Sequence, residues 1–364
     1  MREYFAIIED PRHQSYVRHN LDDILIMVMC SVLCGITDLS GIVSFSQNKA
    51  EFFKRNFNIE NIPSKPTFSR VLSLVDGQKV AETIMAIMQD KFSIQSDVIA
   101  IDGKAIRSTS EANKKHSALQ IITAYLTESG VVLSQKKINK KTNEIPVLQE
   151  MLPYLNIKGK TITADAMHCQ RETCERIISQ KGDYVIGLKS NQKSLFEDVE
   201  YFLKETSDKA EIDEYITLEK NHGRIEKRIC KKINLGDWLQ ERHNWPGLKT
   251  AFSVERIITK GNKTTKDIGY YITSSDKSAQ FLAQIAREHW RIESMHWVLD
   301  VLFSEDDVKY YSENAHICLN ILRKYAFQLH KNYIVTKGKK CSVKSQIFEC
   351  LLNENLLLDI ISLV

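Results

Sequence analysis

The hydrophobic pattern changes period near residue 96, and that change limits the fold more than any other feature of the chain. Before it, Leu21 to Leu33 and Ala81 to Met88 are rich in helix formers and no alternation is sustained. After it come short apolar runs bounded by polar residues: Val98 to Ile101, Leu119 to Tyr125, Val131 to Leu133, Thr161 to Ala164 and Tyr184 to Leu188. These predict five strands. Helical stretches fall only between the later ones, at Val147 to Leu155 and Gln170 to Gln180, which predicts a mixed α/β sheet.

Beyond residue 191 the period returns to two, in Tyr215 to Ile233 and Thr250 to Thr273, with basic side chains interspersed. A β-rich insertion over 191–275 is expected. A strong helix follows from about Ser278 to Phe303, because Leu282, Ile285, His289, Ile292, His296, Leu299 and Phe303 recur at three-four spacing and mark one buried face. The layout is then a separate helical domain over 1–95, an α/β core over 96–190, the insertion, the rest of the core over 276–335 with the long helix, and a helical tail over 336–364. Three meandering strands followed by helix, strand, helix, strand is the order of an RNase H-like fold.

Composition narrows the setting. The chain has 364 residues, 43% hydrophobic and 26% charged, enough for a substantial core and typical of a soluble globular protein. The longest apolar run, Ile24 to Ile36, is broken by Ser31 and Gly35 and is shorter than the ~20 residues of a membrane span, so it predicts a buried helix. The opening Met-Arg-Glu-Tyr-Phe lacks the pattern of a signal peptide, and a cytoplasmic location without membrane partners is expected. The 8 cysteines show no CxxC pair and predict reduced core thiols. His168-Cys169 near Cys174 has no matching pair elsewhere, which argues against structural zinc.

A formal charge of +4 is too mild to define a partner, but its distribution is not even. Gly103 to Lys141 holds eight Lys/Arg against two acids, Glu219 to Lys232 six against two, and Glu293 to Asp307 five acids with no Lys or Arg. Basic flanks around an acidic centre suit metal-assisted chemistry on a polyanion.

The acids themselves are distinctive. Asp102 follows Val98-Ile99-Ala100-Ile101 and Asp165 follows Thr161-Ile162-Thr163-Ala164, so both carboxylates are expected at strand ends. Either alone also reads as an ordinary turn aspartate. Glu293 is the third acid, near the edge of the long helix's apolar face, sharing a side with His289, Trp297 and Asp300. A carboxylate there must be protonated, paired or bound to metal. Two acids from strand ends and one from a helix supply what Mg²⁺ prefers, and Mn²⁺ should substitute.

The motifs around these acids also resemble a known family. They are Ile-Asp-Gly-Lys at 101–104, Asn143-Glu144-Ile145, Ala164-Asp165-Ala166-Met167-His168-Cys169-Gln170, Leu188-Lys189-Ser190-Asn191-Gln192, His222-Gly223-Arg224-Ile225-Glu226, His289-Trp290-Arg291-Ile292-Glu293, His296-Trp297-Val298-Leu299-Asp300-Val301 and Glu305-Asp306. In order and separation the chain resembles the DDE transposases of bacterial insertion sequences, most closely the branch of the H-repeat-associated proteins of Rhs elements. The resemblance implies that Asp102, Asp165 and Glu293 form the acidic triad, with a β-strand insertion between the second and third acids. Thr142 stands where the branch usually has Ser, and Ala286 and His289 where related transposases carry Tyr and Arg before Glu.

The reaction so implied is divalent-metal-dependent DNA cleavage and strand transfer at element ends. Lys104, Lys189 and Asn191 near strand ends, and His222, Arg224 and Arg228 in the basic insertion, are the candidate DNA-binding residues; each charged group also reads as solvated surface. The turn and helix start at Pro63 to Arg70 reads equally as a phosphate grip or an ordinary cap. Trp290 and Trp297 are expected in the core rather than against an unpaired base. The partner is double-stranded DNA, element ends and target, and joining two ends implies a homodimer on DNA. The alternatives are a metal-dependent nuclease without strand transfer and an inactive DNA-binding remnant; the third acid and basic surroundings argue against a glycosidase.

Overall fold

The computed structural model describes the chain except residues 93, 95–96, 111–117, 140–141, 206–211, 222, 234–236, 311 and 364. Six helices come first: α1 (Arg2–Phe5), α2 (Leu21–Leu33), α3 (Leu39–Asn48), α4 (Ala50–Phe57), α5 (Lys65–Leu74) and α6 (Gly77–Lys91). The apolar run expected to be buried is α2, in which Ile24 through Leu33 are all inaccessible. Local chemistry sets the helix starts. The Asp38 side chain accepts from Gly41 N, Asp76 accepts from Gln78 N and Lys79 N, and Pro66 sits in the first turn of α5 after Ser64.

Then follow β1 (Val98–Ile106), β2 (Leu119–Leu126), β3 (Val132–Ile138), α7 (Glu144–Met151), β4 (Thr161–Ala164), α8 (Arg171–Ser179), β5 (Asp183–Leu188) and α9 (Lys193–Glu205). Next are β6 (Ile212–Asn221), β7 (Arg224–Ile233), α10 (Asp237–His243), β8 (Thr250–Lys260) and β9 (Lys263–Thr273). Helices α11 (Ala279–Phe303), α12 (Glu313–Thr336), α13 (Val343–Leu352) and α14 (Glu354–Ile361) complete the order.

All the strands join one mixed sheet in the order β3-β2-β1-β4-β5-β9-β8-β7-β6. β1, β4 and β5 are parallel and every other pairing is antiparallel. The expected β-rich segment is thus continuous with the central sheet: β9, the last of its strands, pairs with β5, and β8, β7 and β6 follow outward.

Helix α11 packs across the sheet, touching β1, β4 and β5 and also β6, β7 and β8. Its start lies on a small core of Val98, Val185, Cys230, Phe252, Ala279, Leu282, Ile285 and Ala286. The main core is continuous from Phe5 to Ile361, because α12 packs against α2, α5 and α6, and α6 against β3. The first 95 residues therefore share their interior with the rest of the chain. The free thiols other than Cys341 are buried. No described helix is long and apolar enough to cross a membrane.

Candidate active site

The parallel β1–β4 ladder ends on the rung Ile101–Ala164, so Asp102 and Asp165 both lie one residue past it, on adjacent strands. Asp165 leaves β4 into a short helical turn, Ala166–His168. Asp102 differs from the strand-end expectation: β1 runs on to Ile106 because its other edge stays paired with β2, where Thr123 stands opposite Asp102. A strand that loses one neighbour keeps its extended form while the other ladder continues.

Helix α11 brings His289, Glu293 and His296 to these two aspartates, since residues four and three apart share a helix face. His289 Nδ1 is 3.0 Å from Thr163 Oγ1, and its Nε2 lies 3.4 Å from Asp165 Oδ1. His296 Nδ1 is 3.3 Å from Asp102 Oδ2. Asp165 is held below the usual carboxylate range, first by the contact with His289 and then by the charges of His289, exposed Lys189 and His168.

Glu293 is half-buried and makes no hydrogen bond or ion pair with a described residue. Its pKa is raised, mainly by burial and then by the negative charge of Asp102, with Asp165 adding to it and His289 opposing. The three acids thus act on one another electrostatically. Their side chains are not drawn together to ligand distances: among the described residues, no group of three His, Cys, Asp or Glu is arranged as a ready metal cage.

The surroundings assign the remaining candidates. Gly103 leaves room for the Glu144 carboxyl, which a Cβ would overlap. Lys104 is nearly buried and bonded to Asp300 and to Glu305 Oε2, the latter at 2.9 Å, so its ammonium serves an internal ion cluster and not an open phosphate site. Asn191 Nδ2 donates to Ala166 O at 2.8 Å and Gln192 Nε2 to Cys169 O at 2.9 Å, which ties down the turn after Asp165. Arg228 lies 2.5 Å from the buried Glu226, which also meets Arg256 at 2.6 Å and the more exposed Arg224 at 3.5 Å. His222 lies outside the described residues, as do Lys114, Lys115, Lys140 and Lys141 of the first basic stretch.

Trp290 and Trp297 are 52% and 63% exposed, contrary to the expectation of core. The buried stripe of α11 runs through Leu282, Ile285, Ile292, Leu299 and Phe303, and both tryptophans fall about 100° or more to one side of it. Sequence reasoning also missed the cluster behind Lys104. Glu305 is inaccessible and accepts from Asn320 Nδ2 at 2.8 Å, with Arg323 Nη1 at 3.6 Å. Lys324, also buried, donates to Thr123 Oγ1 and Gln135 Oε1, each at 2.9 Å. Asn320, Arg323 and Lys324, at three-four spacing on one face of α12 between the apolar residues Ile317 and Ala326, were the available signal.

An α/β sheet with two aspartates at adjacent strand positions and a glutamate delivered by a later helix defines a class, and the sequence comparisons agree with it. Residues 93–328 match the family "Transposase DDE domain" and residues 2–88 its companion "DDE_Tnp_1-associated". The chain belongs to the DDE transposase family. It is 37% identical to the "H repeat-associated putative transposase YhhI" of Escherichia coli K12, over 88% of this chain and 90% of that one. It is 34% identical to the "Putative transposase YncI" of Escherichia coli O157:H7, over 97% of this chain and 93% of that one. A piggyBac transposase in a synaptic complex with hairpin DNA superposes with a TM-score of 0.49 at 12% identity, covering 98% of this chain and 75% of that one. That likeness is too slight to bear on the fold.

Proposed function

We propose that this protein cleaves DNA strands at the ends of an insertion sequence and joins them to a target, with a divalent cation held by Asp102, Asp165 and Glu293. One observation carries the reading: Glu293 is half-buried, lacks a hydrogen-bonding or ion-pair partner among the described residues, and faces two further carboxylates that resist its ionisation. A group in that position calls for a cation. The all-carboxylate donor set fits Mg²⁺, with Mn²⁺ able to replace it. A bound cation would supply Lewis acidity to the phosphate oxygens at which charge develops.

The chain's own groups orient that chemistry. His289, hydrogen-bonded to Thr163, stands beside the Asp165 carboxylate, and His296 stands beside that of Asp102, where either ring once protonated would hold its aspartate. Lys189, exposed beside Asp165, and Arg224 are the cations best placed to meet DNA phosphates. We read β1 to β5 with α7, α8 and α11 as an RNase H-like core, since antiparallel β3-β2-β1 continued by parallel β4 and β5 is that strand order. Residues 191–275 form its insertion and 1–95 a helical part available to DNA. The substrate is double-stranded DNA, held by two copies of the chain in the compartment where that DNA lies, the cytoplasm.

The test is incubation of purified protein with labelled terminal DNA of its own element, with and without Mg²⁺ or Mn²⁺. Breaks confined to the element end, seen only with metal and followed by joined target product, are expected. Metal-independent cleavage, or none by the wild-type protein with metal and both ends present, would overturn the reading.

A further inference from the structure

We propose that β6 is a dimerisation edge, at which two copies of this chain pair antiparallel about a two-fold axis through Thr217, so that the sheet continues from one copy into the other. The inference rests on the sheet edge and is independent of the catalytic reading. β6 is the last strand in the sheet order, and no described strand pairs with its outer side. It is ten residues long, whereas an edge meant to stay single is usually short, bulged or covered.

The register fixes which groups are free. Asn221 pairs with Arg224 across a two-residue hairpin loop, so the backbone N–H and C=O of the odd-numbered positions turn inward to β7. Those of Glu214, Ile216, Leu218 and Lys220 turn outward. The same four side chains share one face of the sheet, opposite to Tyr215, which packs under α11, and Glu219, which pairs with Arg287 of α11. Ile216 and Leu218 are 47% and 70% exposed, and Glu214 and Lys220 have no ion pair with a described residue.

A two-fold antiparallel pairing must oppose even positions to even positions if the outward groups are to bond. Centred on Ile216, it would set Glu214 against Leu218 of the second copy. Centred on Leu218, it would set Ile216 against Lys220. Centred on Thr217, it sets Ile216 against Leu218 and Glu214 against Lys220, twice over by symmetry, with Thr217 facing its own counterpart. Among these three registers, only the last matches apolar with apolar and acid with base.

The experiment is sedimentation equilibrium of the full chain, without DNA or metal, on wild type, Glu214→Lys, Lys220→Glu and an equimolar mixture of the two variants. The wild type should show a reversible monomer–dimer equilibrium. Each variant alone places like charges opposite each other and should weaken the dimer by at least about tenfold. The mixture should recover near wild-type affinity, because every lysine then faces a glutamate. Both positions are exposed, and an unchanged unfolding temperature checks that the fold survives. A wild type that stays monomeric to its solubility limit, a dimer insensitive to either variant, or a mixture no tighter than its components would each overturn the proposal. Cleavage does not enter the readout, so failure here and failure of the catalytic reading are separate results.

Discussion

Lys324 donates a 2.9 Å hydrogen bond to Thr123 Oγ1, and Thr123 is the residue opposite Asp102 in the β1–β2 ladder. Helix α12 thereby braces the strand that carries the first acid. Burial lowers the Lys324 pKa from 10.5 to about 7, with Glu305 opposing that shift and Lys104 adding to it. Between those two values the unfolded chain holds a proton that the folded protein does not. Unfolding therefore takes up a proton, and stability should rise with pH across that window. Lys324→Met cannot titrate and should flatten the rise, so its stability relative to the wild type should be highest near the low end of the window and fall toward the high end. Urea unfolding across the window checks this; a variant with the wild-type slope would clear Lys324 as its source.

Glu293→Gln keeps the shape of the side chain and removes its charge. The Glu293 pKa is raised in the folded protein, so ionisation at neutral pH costs stability that the amide does not. Thermal stability should hold or rise slightly, and DNA binding should persist. Metal-dependent cleavage should fall by orders of magnitude. Full cleavage by the variant would remove Glu293 from the site.

Metal binding should register without DNA. A ligand that binds only the folded protein stabilises it by about 2.7 kcal/mol at a hundred times its Kd. Mg²⁺ or Mn²⁺ should raise the unfolding temperature of the wild type, reversibly on chelation, and Asp102→Asn or Asp165→Asn should abolish most of the rise. Equal shifts in wild type and variants would mean that the cation binds elsewhere.

Arg224 and Arg228 should separate into a contact and a brace. Arg224→Ala should weaken DNA binding and reduce the salt dependence by about one counterion, with stability unchanged. Arg228→Ala should destabilise the fold by roughly 1–2 kcal/mol, because buried Glu226 loses its nearest cation. Titrations over a range of salt, paired with thermal melts, distinguish the two.

Gly103→Ala should cost less than about 1 kcal/mol, below the usual range for overpacking, because the new methyl group would displace the flexible end of Glu144 and not backbone. Adding Glu144→Ala should restore much of the loss in a double-mutant cycle. No recovery would mean that the cost arises in the backbone of β1 itself.

Much of this organisation was legible from residue pattern. The five core strands and α11 are set by runs and periods that belong to single elements, and Thr161 to Ala164 matches its strand end for end. The residue order also pointed to Asp102, Asp165 and Glu293 as neighbours, while the histidines that meet both aspartates were visible only as members of a helix face. What remained hidden depends on pairing between distant segments. Nothing local in β1 says that β2 extends it past Asp102, and nothing in Lys263 to Thr273 says that this strand returns to β5. Lys104 looked like a free cation because Asp300 and Glu305, which neutralise it, lie some two hundred residues later. Trp290 and Trp297 looked like core by residue type alone, and the helix phase overruled it.

The family matches divide this chain between residues 88 and 93, whereas its hydrophobic interior crosses that line through the packing of α12 on α2, α5 and α6. The boundary between the two family matches is therefore not a boundary of the fold. A fragment starting at residue 93 would hold the whole match to the transposase domain and yet would uncover the inner face of α12, the helix that also carries Lys324 and Arg323. Exchange of the first 90 or so residues between relatives would meet the same constraint: the donor segment must fit a helix encoded more than two hundred residues downstream.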